Sequence, residues 1–129
     1  MSNQKLFAKT AIGQVTTGNS SMTGVGAVEI YAVGAGEVAG STISSIAIKA
    51  VGSTTNGMVR IFIQTGGENT LLFECAIPGN VQSGAEPALG LVIPLNLVLA
   101  PSASILATTQ NSETFNIIIS ATEWENCPC

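Results

Sequence analysis

The chain has 129 residues, of which 46% are hydrophobic and only 9% charged, and its formal net charge is −4. That length fits one domain able to bury roughly two-thirds of its unfolded surface, so a core can form without disulfide or metal staples. It contains no His and no Asp, and its only cations are Lys5, Lys9, Lys49 and Arg60; neutralising a run of phosphates or an anionic bilayer is therefore excluded, as is nucleophilic catalysis by a Ser–His or Cys–His pair.

Taken in chain order, the periodicity is two. Strands are expected near 8–17 and 27–33, ahead of a clearer segment from Ile43 to Val51, where Ile46, Ile48 and Ala50 share a face opposite Ser45, Ala47 and Lys49. From Met58 to Gln64, Val59, Ile61 and Ile63 alternate with Arg60, Phe62 and Gln64. Leu71, Phe73, Cys75 and Ile77 then alternate with Leu72, Glu74 and Ala76. The longest run sets Leu91, Ile93, Leu95, Leu97 and Leu99 against Val92, Pro94, Asn96 and Val98. After a strand near 104–109, Phe115, Ile117, Ile119 and Ala121 alternate with Asn116, Ile118, Ser120 and Thr122. Successive side chains of a strand point to opposite faces, so each segment carries one apolar and one mixed face.

Clusters of Gly, Pro, Asn and Ser interrupt these runs, among them Thr17 to Gly26, Gly34 to Gly40, Gly52 to Gly57, Pro78 to Pro87 and Pro101 to Ala103. Such residues stop strands because Gly supplies positive φ, Pro fixes φ, and Asn and Ser bond their own backbone. Gly66-Gly67-Glu68-Asn69 is short enough for a hairpin. Eight short strands at this spacing predict an all-β fold, an eight-stranded β-sandwich of jelly-roll type. Pro94 lies inside the most apolar strand, which marks an edge, a bulge or a bend there. The expected organisation is an N-terminal arm over 1–7, one sandwich domain over 8–124 and a C-terminal tail over 125–129.

No secretory signal is expected, because Met1 to Gln14 lacks the apolar stretch of about 7–15 residues such a signal needs. Leu89 to Ala100 is too short for a membrane helix, and 5% aromatic content argues against an outer-membrane barrel with aromatic girdles. No membrane and no nucleic-acid partner is expected.

No catalytic, cofactor-binding or metal-binding residues are expected. All eight acids are Glu, mostly in or beside turns, where they read as solvated groups supplying solubility rather than as a glycosidase pair. Cys75 falls among Leu71, Phe73 and Ile77 and reads as a small buried hydrophobe. Cys127 and Cys129 at the end read as free thiols on a loose tail, since three thiols without His fall short of a four-ligand zinc site. Trp124 has two readings, a cap on the core or an anchor against a neighbour.

Surface chemistry is more informative than any motif. Few charges remain to cover the exterior, so much of it is neutral Ser, Thr, Asn, Gln and Gly, which costs little to desolvate and favours contact with other proteins. Phe62, Leu72, Val92, Val98 and Ile118 fall on mixed faces and, with Trp124, form the candidate interface. The alternative is that some of these belong to the core.

The run from Ile43 to Ala50, then Gly57-Met58-Val59-Arg60-Ile61-Phe62-Ile63, Leu71 to Pro78, Leu97-Val98-Leu99-Ala100-Pro101 and the closing Phe115-Asn116-Ile117, resembles small jelly-roll virion accessory proteins of tailed phages, of the head-decoration or head-fibre type. The likeness spans roughly Thr10 to Thr122 and is one of strand and turn pattern, while Trp124 to Cys129 departs from it. It implies a non-enzymatic subunit of the virion, made in the host cytoplasm. Its partners would be copies of itself, often as a homotrimer, and the major capsid or other virion proteins. A second function class on the same fold is a carbohydrate- or receptor-binding module of a phage fibre. Only Tyr31 and Trp124 could offer such a module a stacking platform.

Overall fold

The computed structural model describes residues 4–34 and 40–126, with side chains over 6–34 and 40–123. Among the described residues eight strands follow one another: β1 (Gln4–Val15), β2 (Val28–Ala32), β3 (Ser41–Ala50), β4 (Gly57–Thr65), β5 (Glu68–Ile77), β6 (Gly90–Leu99), β7 (Ser104–Thr109) and β8 (Phe115–Asn126). They form two four-stranded antiparallel sheets, β1-β8-β3-β6 and β2-β7-β4-β5. We call these sheets A and B. Strand pairs 1 with 8, 2 with 7, 3 with 6 and 4 with 5 make one long antiparallel ribbon, and pairings of β3 with β8 and β4 with β7 wind it into two sheets. This wound ribbon is jelly-roll topology. Every connection except the β4–β5 turn passes from one sheet to the other.

The two termini pair further than the alternation predicts. β1 begins at Gln4 and β8 runs to Asn126, so residues 4–7, expected as an arm, lie in register with 123–126, of which 125 and 126 were expected in the tail. The β4–β5 turn is Gly66-Gly67, with φ of 57° and 82°. Two successive positive φ values define a type I′ hairpin, whose twist matches that of its strands and which a side chain bearing Cβ adopts at a cost.

The core lies between the sheets. Ile46, Ile48 and Ala50 from β3, Val59 and Ile61 from β4, Ile105 and Ala107 from β7, and Phe115, Ile117, Ile119 and Ala121 from β8 are all buried. In β3, β4 and β8 these are the apolar faces read from alternation, and burial of each large side chain contributes roughly 1.5–3 kcal/mol.

Three bulges change the phase. The β3 register slips between Ile43 and Ser45 against both neighbours, so Ile43 enters the core along with Ile46 although simple alternation would separate them. β2 slips between Glu29 and Tyr31. In β5, Ile61 faces Phe73 but Phe62 faces Leu71, leaving Leu72 as the extra residue. A bulge of this kind re-aims one side chain, and both Leu72 and Phe73 pack against the core. Pro94 sits on β6, the edge of sheet A, opposite Ser45 where the β3 slip ends. The missing donor thus falls beside an interrupted ladder.

Candidate functional site

The outward face of sheet A can be written row by row from the strand registers. Ile12 of β1 pairs with Ile118 of β8, which pairs with Ala47 of β3, which pairs with Val92 of β6. One apolar row therefore crosses all four strands, and its ends are open to solvent, Ile12 at 69% and Val92 at 70% exposure. Thr10, Ser120, Ser45 and Pro94 form the next row, and Ala8, Thr122, Thr42 and Val98 the one beyond, ending on a Val98 that is also exposed. On the other side lie Gln14, Asn116, Lys49 and Gly90. Lys49 is the only charged side chain in these four rows, and its ammonium donates to the Ala88 carbonyl oxygen. Ion-poor strands in an ion-poor chain thus produce a face of apolar and small hydroxyl groups with no carboxylate.

Val92, Val98 and Ile118, three of the candidate interface residues, meet on this face. Ile12 and Ala47 complete it. The mixed-face list omitted them because the sequence of β1 shows no marked alternation and Ala47 is small. Trp124 pairs through its backbone with Leu6 in the same sheet, while its side chain lies outside the described residues, as do Cys127 and Cys129.

Phe62 and Leu72 belong elsewhere. Leu72 is turned into the core by the β5 bulge. Phe62 does point away from that core, on the outer face of sheet B between Leu106 of β7 and Leu71 of β5, yet it is 0% exposed. The β1–β2 connection explains this. At one end Thr17 is tied to Thr109: its amide donates to the Thr109 hydroxyl at 2.9 Å, its hydroxyl donates to the Thr109 carbonyl at 2.9 Å, and Asn19 donates to the same carbonyl at 2.7 Å. Further along, the Gly24 carbonyl accepts from the Asn69 side chain at 3.0 Å. Thr109 lies beside Val59 and Asn69 beside Gln64, so the two anchors are about five residues, or roughly 17 Å, apart along β4. The segment between them is carried across the outer face of sheet B, over Arg60, Phe62, Leu106 and Thr108, all of them buried. The expectation that Phe62 contacts a neighbouring subunit is thus corrected: the chain's own loop covers it. Nothing in a strand's alternation distinguishes a side chain covered by a distant loop from one left bare.

This covered face also differs in charge. Glu29, Arg60 and Glu74 lie on it, in register with Leu106, Thr108 and Arg60 respectively. Arg60 Nε is 3.3 Å from a Glu74 carboxylate oxygen, an ion pair in which the Nε–H makes no hydrogen bond.

Between the sheets sits one polar clasp. The Tyr31 hydroxyl on β2 contacts both the Ser41 hydroxyl, at 2.7 Å, and the carboxylate of Glu123 on β8. Glu123 is buried and has the Lys9 ammonium 4.0 Å away. The carboxylate is thereby compensated, as burial of a charge requires. Tyr31 itself is buried with its ring in the core, so it offers no stacking platform for a sugar. Burial also pushes the Cys75 thiol above its ordinary value of 9.0, in keeping with its place against the core. A shallow depression at the end of sheet B is lined by Asn56, Met58, Ala76, Pro78 and Gln110, among others, and none of its lining residues is an acid, a base or a thiol.

No family model matches the chain. None of the curated proteins matches it either. Among solved structures it is similar to a chain of the cyanophage Pam1 capsid asymmetric unit, at 12% identity and a TM-score of 0.44, covering 91% of this chain and 84% of that one.

Proposed function

We propose that the chain is a non-enzymatic structural protein of a phage particle, a capsid decoration or head accessory subunit that stabilises the shell through contacts with copies of itself and with other virion proteins. The carboxylate-free outer face of sheet A is the observation that carries the structural part of this reading. A four-stranded face whose single charge, Lys49, lies in an outer row can be buried without stranding a carboxylate, which favours a permanent contact. The virion setting draws its support from the strand-and-turn pattern between Thr10 and Thr122. The mechanism would be mechanical: neutral and apolar contacts bridge subunits of the shell, while the acid-bearing loops and sheet B stay in solvent.

The test is reconstitution. Purified protein is mixed with particles lacking it, and binding is followed by cosedimentation together with survival of the particles on heating. Saturable binding that raises the temperature of particle rupture is expected. Protein that stays in the supernatant at all concentrations would overturn the reading.

A further inference from the structure

Resting on that structural reading, we infer that the outer face of sheet A is the surface through which one copy of this chain meets a second copy, with the Ile12–Ile118–Ala47–Val92 row at the centre of the contact.

Three observations select this occupant. The first is size. Four strands spaced about 4.8 Å apart and about ten residues long at 3.3 Å per residue give a face on the order of 600 Å² in plan. Its accessible area, raised by protruding side chains, approaches the roughly 800 Å² per partner of a standard stable interface. The second is charge. The chain carries a net −4, so copies repel one another unless their acids are turned away. Glu29 and Glu74 lie on the outer face of sheet B, whereas no described residue in the four rows of sheet A is an acid. Contact through sheet A therefore buries no carboxylate of its own four rows, while contact through sheet B would strip water from at least two.

The third is cover. At the centre of sheet B's outer face, Phe62 and Leu106 are already buried under the β1–β2 loop, with Leu71 half-buried beside them. On sheet A the corresponding positions, Ile12, Val92 and Val98, stay 65–70% exposed. A second sheet packed at about 10 Å would cover them, since small Ser, Thr and Ala neighbours let two faces approach closely.

Native mass by light scattering after gel filtration tests the assignment, with the full chain at about 100 μM, well above a micromolar dissociation constant. The wild-type chain is expected to elute at two or more times its 13.1 kDa protomer mass. Ile12→Lys and Val92→Lys replace side chains that already face solvent in the single chain, so both are expected to fold, as judged by an unchanged circular dichroism spectrum, and to elute at the mass of one chain. Val81→Lys, at a position 77% exposed in the β5–β6 connection, is expected to keep the wild-type mass. A wild-type chain of single-copy mass overturns the assignment, as does an oligomer that survives both sheet A substitutions or one that Val81→Lys dissolves equally. The outcome separates from that of reconstitution: an oligomer that ignores particles refutes only the virion reading, and a monomer that binds them refutes only the self-contact.

Discussion

Replacing Phe62 by Ala distinguishes a side chain sealed under its own loop from one waiting for a partner. Phe62 is fully buried, with Leu106 and Leu71 beside it in register. Truncating a fully buried Phe costs about 3–5 kcal/mol, from lost transfer energy and an unfilled cavity. For 129 residues, an unfolding entropy of about 2.1 cal/mol/K per residue gives roughly 0.27 kcal/mol/K, so the melting temperature falls by about 10–20 °C. Urea titration and thermal melts followed by circular dichroism measure it, with Val92→Ala on the open face of sheet A as the comparison, expected to shift by less than about 0.5 kcal/mol. A Phe62→Ala chain within about 1 kcal/mol of wild type, yet of lower native mass, would refute the covered-face assignment and return Phe62 to a subunit contact.

Other perturbations probe the same architecture. Gly24 has φ of 80°, and a Cβ there would stand 2.8 Å from the Asn69 side chain; Gly24→Ala is expected to cost about 1–3 kcal/mol and to speed protease cleavage between residues 16 and 27. Tyr31→Phe removes the hydroxyl from the Ser41 and Glu123 contacts, and a loss of about 1–3 kcal/mol in urea unfolding is expected, because a buried carboxylate loses a donor. The raised Cys75 pKa predicts that the folded thiol is alkylated more slowly at pH 8 than the same thiol in urea, measured by mass spectrometry of the Cys75 peptide released by cleavage after Glu74 and Glu113, which separates it from Cys127 and Cys129. Because the folded value exceeds the unfolded one, the associated stability is present below the ordinary value of 9.0 and is lost as pH rises through the folded value. Unfolding titrations across that range, compared with Cys75→Ala, measure the difference.

Particular residues show how far the chain's pattern reaches. Alternation in β8 placed Phe115, Ile117, Ile119 and Ala121 inside and Ile118 outside, and they lie so. Alternation in β6 likewise placed Val92 and Val98 outside. Gly66-Gly67 announced its hairpin, since only a tight turn with positive φ has a use for both. These features are local: a pleat of period two and a turn are each decided within a few residues, and the sequence alone determines the strands, their faces away from bulges, and the scarcity of ions on the surface. Ile43 and Leu72 escaped that reading because a bulge inserts one residue into a ladder and inverts the phase beyond it. A bulge is a property of two strands in register, absent from either strand alone. Tyr31 and Glu123, 92 residues apart, became a clasp only when β2 and β8 were laid in facing sheets. The tertiary structure alone decided which outer face stays bare. The loop that leaves β1 is tied to Thr109 and Asn69 and so covers sheet B, leaving Ile12, Ile118, Ala47 and Val92 as the open apolar row, because burial depends on what distant chain comes to lie above a side chain.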